Sequence, residues 1–148
     1  MDLKKISINR MSIEDFNEIK DNLKEEFDEF WNENILKSEI ESQNSIYFTA
    51  KENDEVIGFA GVLVLFDSTE ITNIVIKKNK RGFGISKLLL EKLIDESVNL
   101  NKNSISLEVN ENNTIAINLY NKYNFNKVGF RKNYYNGKEN AIIMTKNI

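Results

Sequence analysis

The apolar positions of this chain switch several times between a period of two and a period near 3.6. "KKISIN" (4–9) alternates and predicts a first strand. Ile13, Phe16, Ile19 and Leu23 then recur at helical spacing. Ser12 and Asp15 stand ahead of them as a capping pair, with Asp where Glu or Gln is usual. A second helical stretch carries Phe27, Phe30, Trp31, Ile35 and Ile40. Residues 45–53, 55–66 and 68–78 read as three strands, with turns at 52–55 and 67–68. A glycine turn at 80–84 opens a helix of about four turns bearing Ile85, Leu88, Leu89, Leu93 and Ile94. "SISLEVN" (104–110) is a strand with Ile105, Leu107 and Val109 on one face and Ser106, Glu108 and Asn110 on the other. A short helix is expected over 114–123. "FNKVGFRKNYY" and "ENAIIMTK" flank Asn136-Gly137, a strong hairpin signal. The order is β-α-α-β-β-β-α-β-α-β-β, without repeat or linker. It predicts an α/β protein with a mixed sheet, one domain over residues 1–148.

Composition narrows the chemistry more than the fold. The 148 residues are 41% apolar and 29% charged, which suits an ordinary globule. The longest apolar run, 56–66, is too short for a bilayer. The first ten residues lack the apolar core of a signal peptide, so a cytoplasmic location is expected. There are no cysteines and no histidines. That excludes disulfides, a thiolate nucleophile, a Ser-His-Asp triad and a His- or Cys-held metal. Acid–base work falls to Glu, Asp, Tyr or Lys, and no metal is expected. With no proline, the turns rely on Gly, Asn, Asp and Ser. Residues 11–45 hold eleven acids and three lysines, a net of −8 within a chain of net −3. Residues 77–102 hold seven cations and three acids. One region is poised to attract cations and another anions, although solvated helix faces read the same way.

The glycine turn, "KRGFGISKLL", joins a strand to a helix. Uncapped amides at a helix start suit phosphate, and glycines permit close approach. A dinucleotide fingerprint wants glycine at position 87, where Lys87 stands. A P-loop wants Gly-Lys-Ser/Thr, which is absent. A plain tight turn fits the motif alone equally well. In context, Arg81-x-x-Gly84-x-Ser86, after "NIVI" and before an Ile/Leu helix, resembles the Q/R-x-x-G-x-G/A acetyl-CoA signature of the GNAT N-acetyltransferases. Ser86 replaces the last small residue and is short enough to cap. Residues 70–146, with "LEVNENNTIAINLYNKYNFNKVGFRKNYY…NAIIM", are similar to one GNAT group, the bacterial RimI-type ribosomal-protein-alanine acetyltransferases. Upstream, only element order and the pair Phe30-Trp31, where the family has Pro-Trp, correspond. Asn124 stands where the family has glycine, and asparagine tolerates a left-handed backbone.

The resemblance implies the GNAT fold and acetyl-CoA as co-substrate. Glu108 matches the family's catalytic glutamate and is the candidate base; otherwise it is a solvent-facing edge residue. Tyr120, at the family's spacing, is the candidate acid for the departing thiolate; otherwise it is a core aromatic. Ile74, Val75 and Ile76 match the strand whose backbone holds the thioester and pantetheine. Arg81, Gly82, Phe83, Gly84, Ile85, Ser86 and Lys87 match the pyrophosphate loop. Asn113 matches a cofactor-contacting asparagine and equally suits a helix N-cap. Trp31, Arg131, Tyr134 and Tyr135 match the acceptor groove, whose acidic wall would suit a basic ribosomal-protein N-terminus. The expected activity is Nα-acetylation of an alanine-starting small-subunit ribosomal protein, by direct attack in a ternary complex. Another amine acceptor, or a module that binds acyl-CoA without turnover, is the alternative. A monomer without membrane attachment is expected, and a pI near 5.2 with no concentrated basic surface speaks against direct nucleic-acid binding.

Overall fold

Alternating burial along the strands decides where the helices must lie. The computed structural model describes residues 1–28 and 31–148. Seven strands are found: β1 (Ile6–Arg10), β2 (Ser45–Glu52), β3 (Glu55–Val64), β4 (Ser68–Ile76), β5 (Ser104–Asn110), β6 (Asn126–Tyr135) and β7 (Glu139–Asn147). They form one sheet in the order β1-β2-β3-β4-β5-β7-β6. Four α-helices accompany them: α1 (Ile13–Ile19), α2 (Glu33–Glu41), α3 (Ile85–Asn99) and α4 (Thr114–Lys122). The expected element order is therefore the observed one.

Each face of the sheet buries its own cluster. On one face Ile85, Leu89, Leu90 and Leu93 of α3 pack with Ile71 and Ile76 of β4 and Ile105, Leu107 and Val109 of β5. On the other, Phe16 and Ile19 of α1, Leu36 of α2 and Leu23 and Phe27 between them pack on Tyr47, Phe59 and Val75. All of these side chains are less than a tenth exposed. A fully buried side chain of this size contributes roughly 1.5–3 kcal/mol. The two clusters are therefore what fixes the helices to the sheet.

Two irregularities in β4 matter for the site. Ile71 pairs with Val62 and Asn73 with Gly61, so Thr72 is an extra residue on β4. A bulge of this kind bends its strand. On the other edge β4 pairs with β5 in parallel only from Ser68↔Ser104 to Glu70↔Ser106. Beyond Glu70 the two strands part. β5 remains paired to β7 along its whole length.

Several boundaries depart from the sequence pattern. The first helical stretch leaves α geometry after Ile19, passing through a 3-10 turn (Lys20–Asn22) and a π turn (Leu23–Phe27). The changed winding keeps Leu23 and Phe27 on the sheet, so Phe27 ends this stretch rather than opening the next. Trp31 precedes α2, and Phe30 lies outside the described residues. Ile13 faces solvent at 46% exposure. Leu65 and Phe66 fall beyond the end of β3, Phe66 being 93% exposed. The Ser12–Asp15 box forms with Asp: the Ser12 amide donates to Asp15 and the Asp15 amide to Ser12 Oγ. Asn124 takes φ 66°, and Asn136 and Gly137 take φ 53° and 67°, as the hairpin requires.

Candidate active site

A cleft of about 890 Å³ opens where β4 and β5 part. Ile74, Val75 and Ile76 line it from β4, and Glu108, Val109 and Asn110 from β5. The glycine loop and start of α3, the inner face of α4 and the β6–β7 hairpin at Tyr135, Asn136 and Glu139 also line it, with Trp31 and Ile35 beside them. Among the described residues β4 has no strand partner on this side beyond Glu70, which leaves its main-chain groups available to a guest.

The glycine loop opens into the same cleft. Gly84 is the N-cap residue of α3, with φ 90°, and no side chain caps the helix. Ser86 therefore sits inside the first turn and does not cap. Gly82 has φ 84°, and a Cβ there would meet nothing within 4 Å. Gly82, Gly84, Ile85 and Ser86 line the cleft. Uncapped first-turn amides at the positive end of a 15-residue helix suit a diphosphate, so the residues present fit coenzyme A. The nearby cations are already engaged. The Arg81 guanidinium donates to the carbonyls of Ile76 and Phe27. Lys80 pairs with Glu52 at 2.8 Å. Arg81 thus staples the loop to β4 and to the end of the π turn. Phe83 and Lys87 are exposed and lie off the cleft wall.

Glu108 and Tyr120 come to this cleft from different elements. Glu108 alternates with buried Leu107 and Val109, so it points away from α3, toward the face that carries α2. Its side chain is 18% exposed, and Oε1 lies 2.9 Å from Arg131 Nε. Tyr120, on α4, stacks obliquely on Phe125 at 5.7 Å. Burial, helped by the neighbouring Tyr135 hydroxyl, pushes its phenol up to about 12. Tyr120 therefore keeps its proton at any physiological pH. Asn113 accepts from the Ala116 amide, capping α4, and also lines the cleft.

The four groove residues divide. Trp31 and Tyr135 line the cleft, whereas Arg131 and Tyr134 do not. Arg131 instead bridges Glu108 and the Tyr134 ring, 5.4 Å from its centroid. Tyr134 meets Tyr135 edge-on at 5.0 Å. The acidic segment is partly structural. Asp15 pairs with Lys51 at 2.6 Å, Glu18 accepts from the Val56 amide, and Glu39 accepts from Tyr47.

Sequence reasoning missed Thr72 and Asn73, which also line the cleft. The signal was available: polar Asn73 interrupts the apolar run from Ile71 to Ile76. Among the described residues no cluster of three or more acids could hold a metal, and no helix is long and apolar enough to cross a membrane.

Comparison with known proteins agrees with this arrangement. Residues 16–125 match the model of the acetyltransferase (GNAT) family. The [ribosomal protein bS18]-alanine N-acetyltransferase of Haemophilus influenzae is 38% identical over 120 residues, 77% of this chain and 80% of that protein. The crystal structure of the ribosomal-protein-S18-alanine N-acetyltransferase from Escherichia coli superposes with a TM-score of 0.87 at 29% identity, covering 97% of this chain and 94% of that one. Arabidopsis thaliana NAA60 in complex with acetyl-CoA shares the fold alone, with a TM-score of 0.80 at 18% identity over 97% and 98% of the two chains. A split sheet, an uncapped glycine-led helix and a matching family model lead to one assignment: the chain belongs to the GNAT acetyltransferase family and has its fold.

Proposed function

We propose that this enzyme transfers the acetyl group of acetyl-CoA to the α-amine of an alanine-starting small-subunit ribosomal protein. The observation that carries the reading is the sharing of one cleft by Glu108, Tyr120 and the uncapped start of α3. The names of the Haemophilus and Escherichia relatives support the choice of acceptor.

In this reading the Gly82–Ser86 amides hold the diphosphate of the co-substrate, and the unpaired edge of β4 aligns its pantetheine arm. Main-chain amides of residues 74–76 polarise the thioester carbonyl in the manner of an oxyanion site. An α-amine titrates near 7.7–8.0, so much of it is protonated at neutral pH. The ammonium gives its first proton to solvent. The neutral nitrogen bonds to the acetyl carbon, Glu108 accepts the proton that this nitrogen sheds on becoming an amide, the carbon–sulfur bond breaks, and Tyr120 gives its proton to the departing thiolate. Solvent takes up the proton from Glu108 and returns one to Tyr120. No covalent enzyme intermediate forms. Trp31 and Tyr135 flank the acceptor, and Arg131 keeps Glu108 aimed. The acids of the α1–α2 segment that face solvent, such as Glu33, favour a basic N-terminus. We place this activity in the cytoplasm, carried by a monomer that makes no direct contact with nucleic acid.

The test is incubation of the purified protein with acetyl-CoA and a panel of N-terminal peptides, polyamines and aminoglycosides, followed by mass spectrometry. Acetylation confined to the α-amine of alanine-starting peptides is expected. Acetylation of a polyamine, an aminoglycoside or a lysine side chain in its place would overturn the acceptor assignment.

A further inference from the structure

The carboxylate of Glu108 reaches the cleft with a cation already at its back. β7 lies between β5 and β6, with Ile143 opposite Glu108 and Ala141 opposite Arg131. Ile143, Ala141 and Arg131 therefore share the face of Glu108. The Arg131 side chain must cross β7 to reach Glu108, and Ala141 and Gly129, which border that path, are too small to obstruct it. Its Nε lies 2.9 Å from Glu108 Oε1. Beyond Arg131, residues 132–134 of β6 oppose a single residue of β7, and Asn133 takes φ 55° among them. Past this bulge the Tyr134 ring stands 5.4 Å from the guanidinium. The cation is thus held on two sides, although its side chain is 58% exposed. Glu108 lines the cleft and Arg131 does not. Arg131 acts on a guest through the charge of Glu108.

That charge matters because an amine exists in two forms. An α-amine titrates near 7.7–8.0, so most of it is ammonium at pH 7, and only the neutral form has a lone pair with which to attack. A carboxylate within about 4–6 Å favours the charged form. Left uncompensated, Glu108 would hold the ammonium in a complex that cannot react. The other groups around it do not supply a positive charge. Tyr120, Tyr134 and Tyr135 are phenols, and burial raises both Tyr120 and Tyr135. Ser106 and Asn110, on the same face of β5, are neutral, as are Trp31 and Ile35 on the α2 side. Asp28 and Glu139, which also line the cleft, add negative charge, and Glu139 accepts from the neutral Asn110 amide.

We propose that Arg131 is a positioning residue that keeps protonated amines off the base: paired with Glu108, it cancels the charge that would capture an ammonium, so the acceptor settles in its neutral, reactive form. This role rests on the assignment of Glu108 proposed above and adds to it a choice of the acceptor's charge state. Ammonium held on Glu108 is a non-productive complex, so its signature is a fall in KM and kcat together. Loss of aiming alone would lower kcat and leave KM where it was.

Initial-rate kinetics with acetyl-CoA and an alanine-starting peptide test this at pH 7 and pH 9 in Arg131→Met and Arg131→Lys, beside the unchanged protein. Methionine keeps an apolar stem over Ala141 without the charge, and lysine keeps the charge. Solvent screens a half-exposed cation, so the low end of the effect of an opposite charge applies, about tenfold. In Arg131→Met the peptide KM and kcat are each expected to fall about fivefold to tenfold at pH 7. At pH 9, where the free α-amine is neutral, both should return to within about twofold of the unchanged protein. Arg131→Lys should keep KM near that of the unchanged protein at both pH values. Coenzyme A affinity by calorimetry and the melting midpoint show that each variant is folded. A peptide KM that is unchanged or raised in Arg131→Met at pH 7, or a fall in KM as large at pH 9, would overturn the role of Arg131 and leave the acetyltransferase reading intact. So would the same fall in KM in Arg131→Lys. Unchanged kcat/KM in Glu108→Gln would overturn the base assignment and this role with it. An unchanged protein that acetylates a different amine would refute the peptide assignment alone, and the same variants would be compared on that amine. Failure of the unchanged protein to acetylate any amine would overturn both.

Discussion

Tyr120 illustrates how much of the chemistry is decided by a single side chain's surroundings. Its burial against Phe125 raises the phenol to about 12, so it is an acid that never ionises on its own in the working range. Tyr120→Phe is therefore expected to lower kcat by roughly 10²–10⁴, the usual value of a positioned general acid, with peptide KM little changed. The rate should show no descending limb from this group up to about pH 10, which a pH–rate profile in the unchanged protein would check. Asp15 is the residue that carries acid sensitivity. Burial alone would raise its carboxyl, but Lys51 and the Ser12 amide together hold it below the ordinary carboxylate range. A folded pKa depressed in this way gives stability that is present above the unfolded value near 3.9 and is lost as pH falls through the folded value. Denaturant titrations of the unchanged protein and Asp15→Asn should differ by about 1 kcal/mol or more near pH 7. The difference should shrink below about pH 4. A gap that stays constant down to pH 2.5 would contradict the assignment.

At the scale of elements, the start of α3 joins stability to binding. Gly84 holds φ 90°, a conformation that costs a residue with a Cβ roughly 1–2 kcal/mol. A Cβ on Gly84 would also meet Leu3 at 3.4 Å. Gly84→Ala is expected to lose about that much stability and to weaken coenzyme A binding, read by denaturation and calorimetry on the same sample. Much of this was legible in the sequence. The period change after Gly84 marked α3, the alternation over 104–110 put Glu108 on the polar face, and Asn136-Gly137 fixed the last hairpin. What remained hidden depends on contacts between distant segments. Nothing in residues 20–27 announces that the helix must rewind twice to keep Leu23 and Phe27 on the sheet. The cations beside the glycines looked free for phosphate, yet Arg81 is held by carbonyls 5 and 54 residues away. Asn73 reads as one polar residue in a strand because its hydrogen-bond partners, Tyr47 and Glu39, lie 26 and 34 residues off.

Across the whole molecule, β5, β7 and β6 join the remainder of the sheet through only three residue pairs. The rest of the connection is side-chain packing beneath α3, with the Asn103 amide donating to the Asp67 carbonyl and Tyr123 donating to Glu91. A ligand lying along the free edge of β4 supplies rungs that the protein itself omits. Coenzyme A at a hundredfold its dissociation constant should add about 2.7 kcal/mol to stability. Hydrogen exchange should slow most along Thr72–Ile76 and Leu107–Asn110, with little change in β1 and β2. Uniform protection across all seven strands would argue against this picture. A seam runs through the middle of the molecule where most sheets are continuous, and in the proposed reading a small molecule closes it. Departure of spent coenzyme then means reopening that seam, so turnover and mechanical softness are expected to rise and fall together.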